Sequence, residues 1–314
     1  MRITSNSLAE SFLGQLSSLE TEQEQLQGQA ASGLQFTQLS DNPTGMLDVL
    51  NLQDQSNQNA QYQQNITALQ QTATSSYSAL EGLQTVAQQA NELATLASSG
   101  TNSSAQFTTY AAQVTQLIQQ AVTLMNSQNQ GQYLFGGTET NQPPFVMTTD
   151  ANGNVTAVTY QGNSSVPSVE IAPGDTVSAQ VPGSNTSGTG PTGVITDSRN
   201  GADFFNHLIT LQNDLLAGNT SAIESTDAPA LTKDEDNIAL QVGTNGVIQS
   251  QLNDASSVAS TKSTSLDTMM SQDDSADLAQ TMTKLNQAQN SFQAALESGA
   301  TFFNQENSLL YYLA

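Results

Sequence analysis

The most constraining feature of this chain is an apolar seam along residues 46–98. Tyr62, Ile66, Leu69, Ala73, Tyr77, Leu80, Leu83, Ala87, Ala90, Ala94 and Ala97 recur in steps of three and four, with one four repeated near Tyr77. That spacing puts them in one stripe on a helix, narrower than a globular core face usually needs. A helix over 46–98 is about 80 Å long at 1.5 Å per residue. Both chain ends carry the same pattern. Leu8, Phe12, Leu16, Leu19, Leu26 and Ala30 share one face of a predicted helix over 5–30. Leu278, Met282, Leu285, Phe292, Leu296, Phe303, Leu310 and Leu313 form a last seam within 276–314. Spacing alone does not separate a helical bundle from a coiled coil.

Between these helices the pattern changes. The SDNPTG segment, residues 40–45, supplies Ser40 and Asp41 as caps and Pro43 for a first helical turn. SSGTNSS, residues 98–104, reads as a turn, and a second helix over about 105–130 follows, antiparallel to the first. At 131 Gly, Pro and aromatic residues stop the helix. FVMTT and NVTAVTYQG flank the turn DANG as a hairpin, VPSVEIAPG and DTVSAQVPG extend the series, and 183–193 reads as a loop. Helix returns over 201–219 and again from near Asp236, with a break around 271–275. The expected fold is therefore mainly α: an elongated rod of long antiparallel helices with coiled-coil-like termini and a small inserted β domain. The expected domains are 1–45 with 272–314 as a terminal helical assembly domain, 46–140 with 201–271 as a helical rod, and 141–200 as a solvent-exposed β domain. That insertion is expected at the far tip of the helical hairpin, where it would be dispensable.

Charge narrows the partners. The formal net charge is −23, from 28 acids and five Lys or Arg, and no base occurs between Arg2 and Arg199. Nothing neutralises phosphates, which argues against nucleic acid and against an anionic membrane surface. No stretch approaches the length of a membrane span, and the N-terminus lacks the apolar run of a cleaved secretory signal. Cys is absent, which excludes disulfides and thiolate metal sites.

Chemistry-bearing residues are sparse. His207 is the single histidine, beside Phe204, Phe205 and Leu208, and is expected as a packed or surface residue. The run DANGN, residues 150–154, lacks the Glu of a calcium loop, since position 161 is Gln, and reads as a hairpin turn. The acidic cluster Asp234, Glu235 and Asp236 is expected at a helix start, where the helix dipole favours it. Gly136-Gly137 has no following Lys and is no phosphate loop. The expectation is no enzyme, no catalytic or metal residues and no cofactor.

Three segments carry a family resemblance: AASGLQFTQLSDNPTG at 30–45, GQYLFGGTETNQPPF at 131–145, and the C-terminal 275–314 with its SLLYYLA ending. With them the chain resembles the flagellin superfamily of bacterial flagella, and within it the hook–filament junction family. Gln35 and Gln38 stand where that superfamily usually has bases, and bases are also missing around Val242 to Asn245. The resemblance implies a structural adaptor that joins the hook-associated zone to the flagellin filament. Implied partners are further copies of the chain in a ring, the first hook-associated protein, flagellin and a flagellar export chaperone. The implied location is the extracellular flagellum, reached by type III export without a cleaved signal peptide. Assembly would run through the terminal seams: Leu8, Phe12, Leu16 and Leu19 with Leu278, Met282, Leu285, Phe292, Leu296, Phe303, Leu310 and Leu313. A flagellin filament subunit and a secreted enzyme on a flagellin-like scaffold are the alternative readings.

Overall fold

The structure is a computed structural model that describes residues 5–36, 38, 40–99 and 101–313, with side chains described between residues 10 and 301. It is mainly α, with small β elements between the helices. Three helices come first: α1 (Ser5–Ser32), α2 (Pro43–Ser98) and α3 (Ser104–Met125). The β elements follow: β1 (Gln128–Asn129), β2 (Gln132–Tyr133), β3 (Phe145–Thr149), β4 (Val155–Tyr160), β5 (Val169–Ala172), β6 (Asp175–Val177), β7 (Ser184–Asn185), β8 (Thr196–Asp197) and β9 (Ala202–Asp203). Then come α4 (Phe204–Ala217), α5 (Thr220–Ala222), a π-helical turn (Ile223–Asp227), α6 (Ala228–Asp274) and α7 (Leu278–Leu313). The chain divides into two units, Met1–Gln58 with Lys262–Ala314, and Asn59–Thr261.

In the unit Asn59–Thr261, the seam of α2 is more regular than hydrophobicity suggests. Ile66, Leu69, Ala73, Ser76, Leu80, Leu83, Ala87, Ala90, Ala94 and Ala97 are buried. Ser76, not Tyr77, holds the seam position, so the steps of three and four alternate without interruption. Asn102 closes the end of α2 by donating to the carbonyls of Leu96, Ala97 and Ser99. Ser103 and Gln106 then form a reciprocal capping box that starts α3. α3 runs back antiparallel, so that Leu124 covers Gly82. α6 also runs antiparallel to α2: Asn59 donates to the Ala259 carbonyl and Asn91 to Glu235.

The helix expected to reach residue 130 stops at Met125. Asn126 uses its side chain on the Phe145 backbone, accepting from its N–H and donating to its carbonyl. Gln130 and Gly131, at φ 51° and 81°, then turn β1 into β2, as a two-residue hairpin turn with both φ positive does. The β3–β4 hairpin forms as expected, and its DANGN segment is a turn in which Asp150 Oδ1 accepts from the N–H groups of Asn152 and Asn154. The expected loop at 183–193 contributes β7, which pairs parallel with β8, and β8 pairs antiparallel with β9.

Two expectations need correction. The β insertion is not a free tip facing solvent. Phe145, Val155, Val181, Val194 and Ile195 share one apolar cluster with α2, α3 and α4. Ile171, Val177 and Ala179 pack with Ile66, Leu69 and Ala73 of α2 and with Leu252 and Ala259 of α6. The β5–β6 hairpin is thus folded back onto the helices, with Asn65 donating to the Glu170 carbonyl. Its alternating pattern marks a half-buried strand, but pattern does not say what covers the buried face. Helix also does not resume near Asp236: it is continuous from Thr220 through the π turn into α6. Among the described residues no helix is long and apolar enough to cross a membrane.

Candidate assembly surface

The unit formed by the two chain ends is thin. α1 and α7 lie antiparallel. They are linked at one end by Ala276 N–H donating to the Gly33 carbonyl and Gln35 N–H donating to the Asp274 carbonyl. Gly33, at φ 73°, makes the turn out of α1. Leu26 meets Leu285 and Ala288 in a cluster of buried residues. Further along, a Cβ at Gly299 would collide with the Phe12 ring, so that glycine is needed for the helices to approach. The turn into α2 is capped by Asn42, whose side chain accepts from Gly45 N–H, with Pro43 as the first helical residue. The cap is thus neither Ser40 nor Asp41, the two expected, and Asp41 instead accepts from Gln38 N–H.

The residues expected on a single assembly stripe separate into two sets. Leu285 is buried; Phe12, Leu16, Leu19 and Phe292 are half-buried. Leu278, Met282 and Leu296 are 51%, 48% and 47% exposed. The side chains of Leu8, Phe303, Leu310 and Leu313 lie outside the described residues. At about 100° per residue, the covered positions Thr281, Leu285, Ala288, Phe292, Ala295 and Gly299 span roughly 80° of α7. The exposed three occupy roughly the next 40–60°. A single neighbouring helix cannot cover an apolar face that wide. The small residues Thr281, Ala288 and Gly299 at the contact were not anticipated, although a glycine inside a helical run is a signal of close approach.

Titratable groups elsewhere are structural. Asp197 is clamped by Arg199 through Nε and Nη2 at 2.8 and 2.6 Å and accepts from Gly193 N–H, which ties the 183–201 segment together. The Arg199 guanidinium holds that carboxyl down at about 2. His207 Nδ1 lies 2.7 Å from Asp234 Oδ2, and Asp234 Oδ1 accepts from Asp203 N–H. The bond to Asp234 raises the imidazole pKa above its usual value. Burial pushes the Asp234 carboxyl up, opposed by His207. Asp234 lies within α6, not at its start, so His207 and a backbone N–H balance its charge where the helix dipole was expected to. Asp227, in the π turn, is buried with Oδ2 unpartnered, and burial followed by Asp214 pushes it up to about 6. No group of three or more His, Cys, Asp or Glu suited to a metal occurs among the described residues.

These shifts set a pH dependence. Asp227 holds its proton more tightly folded than unfolded, so its contribution to stability shrinks as pH rises from 3.8 to about 6. His207 contributes fully below 6.5 and loses that contribution as pH rises through its raised folded value. Asp197 acts oppositely, but only between about 2 and 3.8. The protein should therefore melt higher at about pH 5.5 than at pH 8. Asp227→Asn should raise stability at pH 8 by about 1 kcal/mol and flatten the profile. Thermal melts across pH on both proteins check this; a parent more stable at pH 8 contradicts it.

Residues 3–140 match the bacterial flagellin N-terminal helical region. No curated protein matches the sequence. Among solved structures, a flagellar hook-associated protein from Vibrio parahaemolyticus aligns with TM-score 0.63 at 20% identity, covering 75% of this chain and 100% of that one. FlgL from Bacillus cereus gives 0.56 at 18% identity, covering 70% and 99%. Flagellar hook associated protein-3 from Legionella pneumophila gives 0.51 at 14% identity, covering 76% and 99%. At these identities the structural likeness is one of fold. Residues 3–140 thus resemble the bacterial flagellin N-terminal helical region, and the chain shares its fold with these flagellar hook-associated proteins.

Proposed function

We propose that this protein is a structural adaptor of the bacterial flagellum, joining the hook-associated zone to the flagellin filament, and not an enzyme. The observation that carries the reading is the bare apolar stripe of Leu278, Met282 and Leu296 on α7. It lies in a terminal helix pair whose own contact is too small to use it. In the assembled flagellum this stripe, with the terminal residues Leu8, Phe303, Leu310 and Leu313, would be covered by further copies in a ring. The first hook-associated protein would bind on the hook side and flagellin on the filament side. Delivery would use an export chaperone and the type III channel, without a cleaved signal. The flagellin N-terminal match also suits a filament subunit; abundance separates the two, since a filament subunit far outnumbers a junction protein. A strain deleted for the gene should make hooks, release flagellin monomer into the medium and build no filament, and the wild-type gene should restore filaments. Normal filaments on the deletion strain would refute the adaptor.

A further inference from the structure

The helix α6 leaves a second apolar stripe bare. Leu240, Val247 and Val258 are 56%, 68% and 68% exposed. Spacings of seven and eleven residues return them to within about 20° of one line on the helix. Gly243 lies about 40–60° from the stripe, and a Cβ there would meet nothing within 4 Å. Glycine is a poor residue for a helix interior, and no contact among the described residues requires it at this position. A bare glycine next to exposed apolar residues suits the close approach of another helix.

A complementary surface exists on the same unit. α2 and α3 form a groove of about 390 Å³ lined by Leu93, Leu96 and Leu117 together with Gln89, Gln113, Gln116 and Glu92. Leu96 is 47% exposed. Asn91 faces α6, donating to the Leu231 carbonyl and to Glu235. Leu93 and Leu96 lie roughly 140–160° further round α2. The groove therefore faces away from α6, and the stripe cannot reach it within one chain. Charge fits as well. Lys233 is exposed close to the line of the stripe, Glu92 is exposed at the groove, and neither is in an ion pair among the described residues. In a chain with five bases against 28 acids, an exposed Lys beside an apolar stripe suits a leucine-lined groove that carries an exposed Glu.

We infer that the α6 stripe of one copy docks into the α2–α3 groove of the next. This rests on the adaptor reading and adds the lateral contact to it. Because two different patches meet, the contact is head-to-tail, the kind that closes rings or winds helices.

The chain has no Cys, so engineered pairs report cleanly. Leu96→Cys is combined with Leu240→Cys, Val247→Cys or Val258→Cys in a strain lacking the native gene. Flagella are isolated, oxidised and run without reductant. At least one pair should give a ladder of multimers, while each single variant and the control pair Leu96→Cys with Thr156→Cys stay monomeric. Gly243→Ala should raise the melting temperature of the purified chain by about 2 °C yet weaken junction assembly. Filaments without any ladder, or cross-links only to a different protein, would overturn the contact while the adaptor stands. Higher melting with unimpaired assembly would overturn the role of Gly243. If the wild-type gene fails to restore filaments, the adaptor reading falls and the contact falls with it.

Discussion

Removing residues 147–196 and closing the gap with a short Gly/Ser link should leave a chain that no longer melts cooperatively. The deletion takes away Ile171, Val177 and Ala179, which cover Ile66, Leu69 and Leu252. It also takes Val155, Val181, Val194 and Ile195 from the cluster containing Phe204, Phe205 and Leu208. Fully burying each large apolar side chain is worth about 1.5–3 kcal/mol, against a total stability of roughly 5–15 kcal/mol for a typical domain. Buried polar groups lose partners too. Gln212 exchanges hydrogen bonds with the Val155 backbone, and Asn237 donates to the carbonyls of Gly193 and Val194. Circular dichroism melts and limited proteolysis of the purified deletion variant test this. A cooperative transition within a few degrees of the parent would show that the helices stand alone.

The opposite outcome is expected for acidic substitutions on the exposed stripe of α7. Met282→Asp and Leu296→Asp should change the stability of the free chain by no more than about 0.5 kcal/mol, because both positions are surface residues. In the flagellum the same aspartates would be forced into a packed contact with almost no base nearby, at a penalty of several kcal/mol. Filament growth should be lost while secretion of the variant continues. Glu297→Gln, beside the stripe, should be near neutral. Leu285→Asp is the internal contrast: that side chain is buried against α1, so the variant should disrupt the helix pair itself. Filament counts with secreted protein measured alongside decide the matter. Normal filaments from Leu296→Asp would mean that this side of α7 stays wet in the assembled junction.

The contrast between these variants shows what the sequence conveyed. Helical periodicity located α1, α2 and α7 within a few residues, and the turn chemistry of DANGN located the β3–β4 hairpin. Periodicity also marked the apolar face of α7, but it could not divide that face between Leu285, which α1 covers, and Leu296, which it leaves bare. That division depends on where Gly299 lets Phe12 approach, a contact between residues 287 positions apart. Ser76 was passed over for Tyr77 because hydrophobicity outweighed spacing. The docking of β5–β6 onto α2 was illegible for a related reason: alternation shows that one strand face is buried, not which helix buries it. Asp234 was read through its neighbours in sequence, whereas its partner His207 is 27 residues away.

The stripe of Leu278, Met282 and Leu296, bare in the free chain, should be covered in the flagellum. A Cys-free protein permits a direct measurement. Leu296→Cys is treated with a small thiol-reactive label, once as purified monomer and once within isolated hooks carrying filaments, followed by denaturation and a second label. Fast labelling of the monomer and strong protection in the assembled junction are expected, with Glu297→Cys less protected. Equal labelling of Leu296→Cys in both states would contradict this.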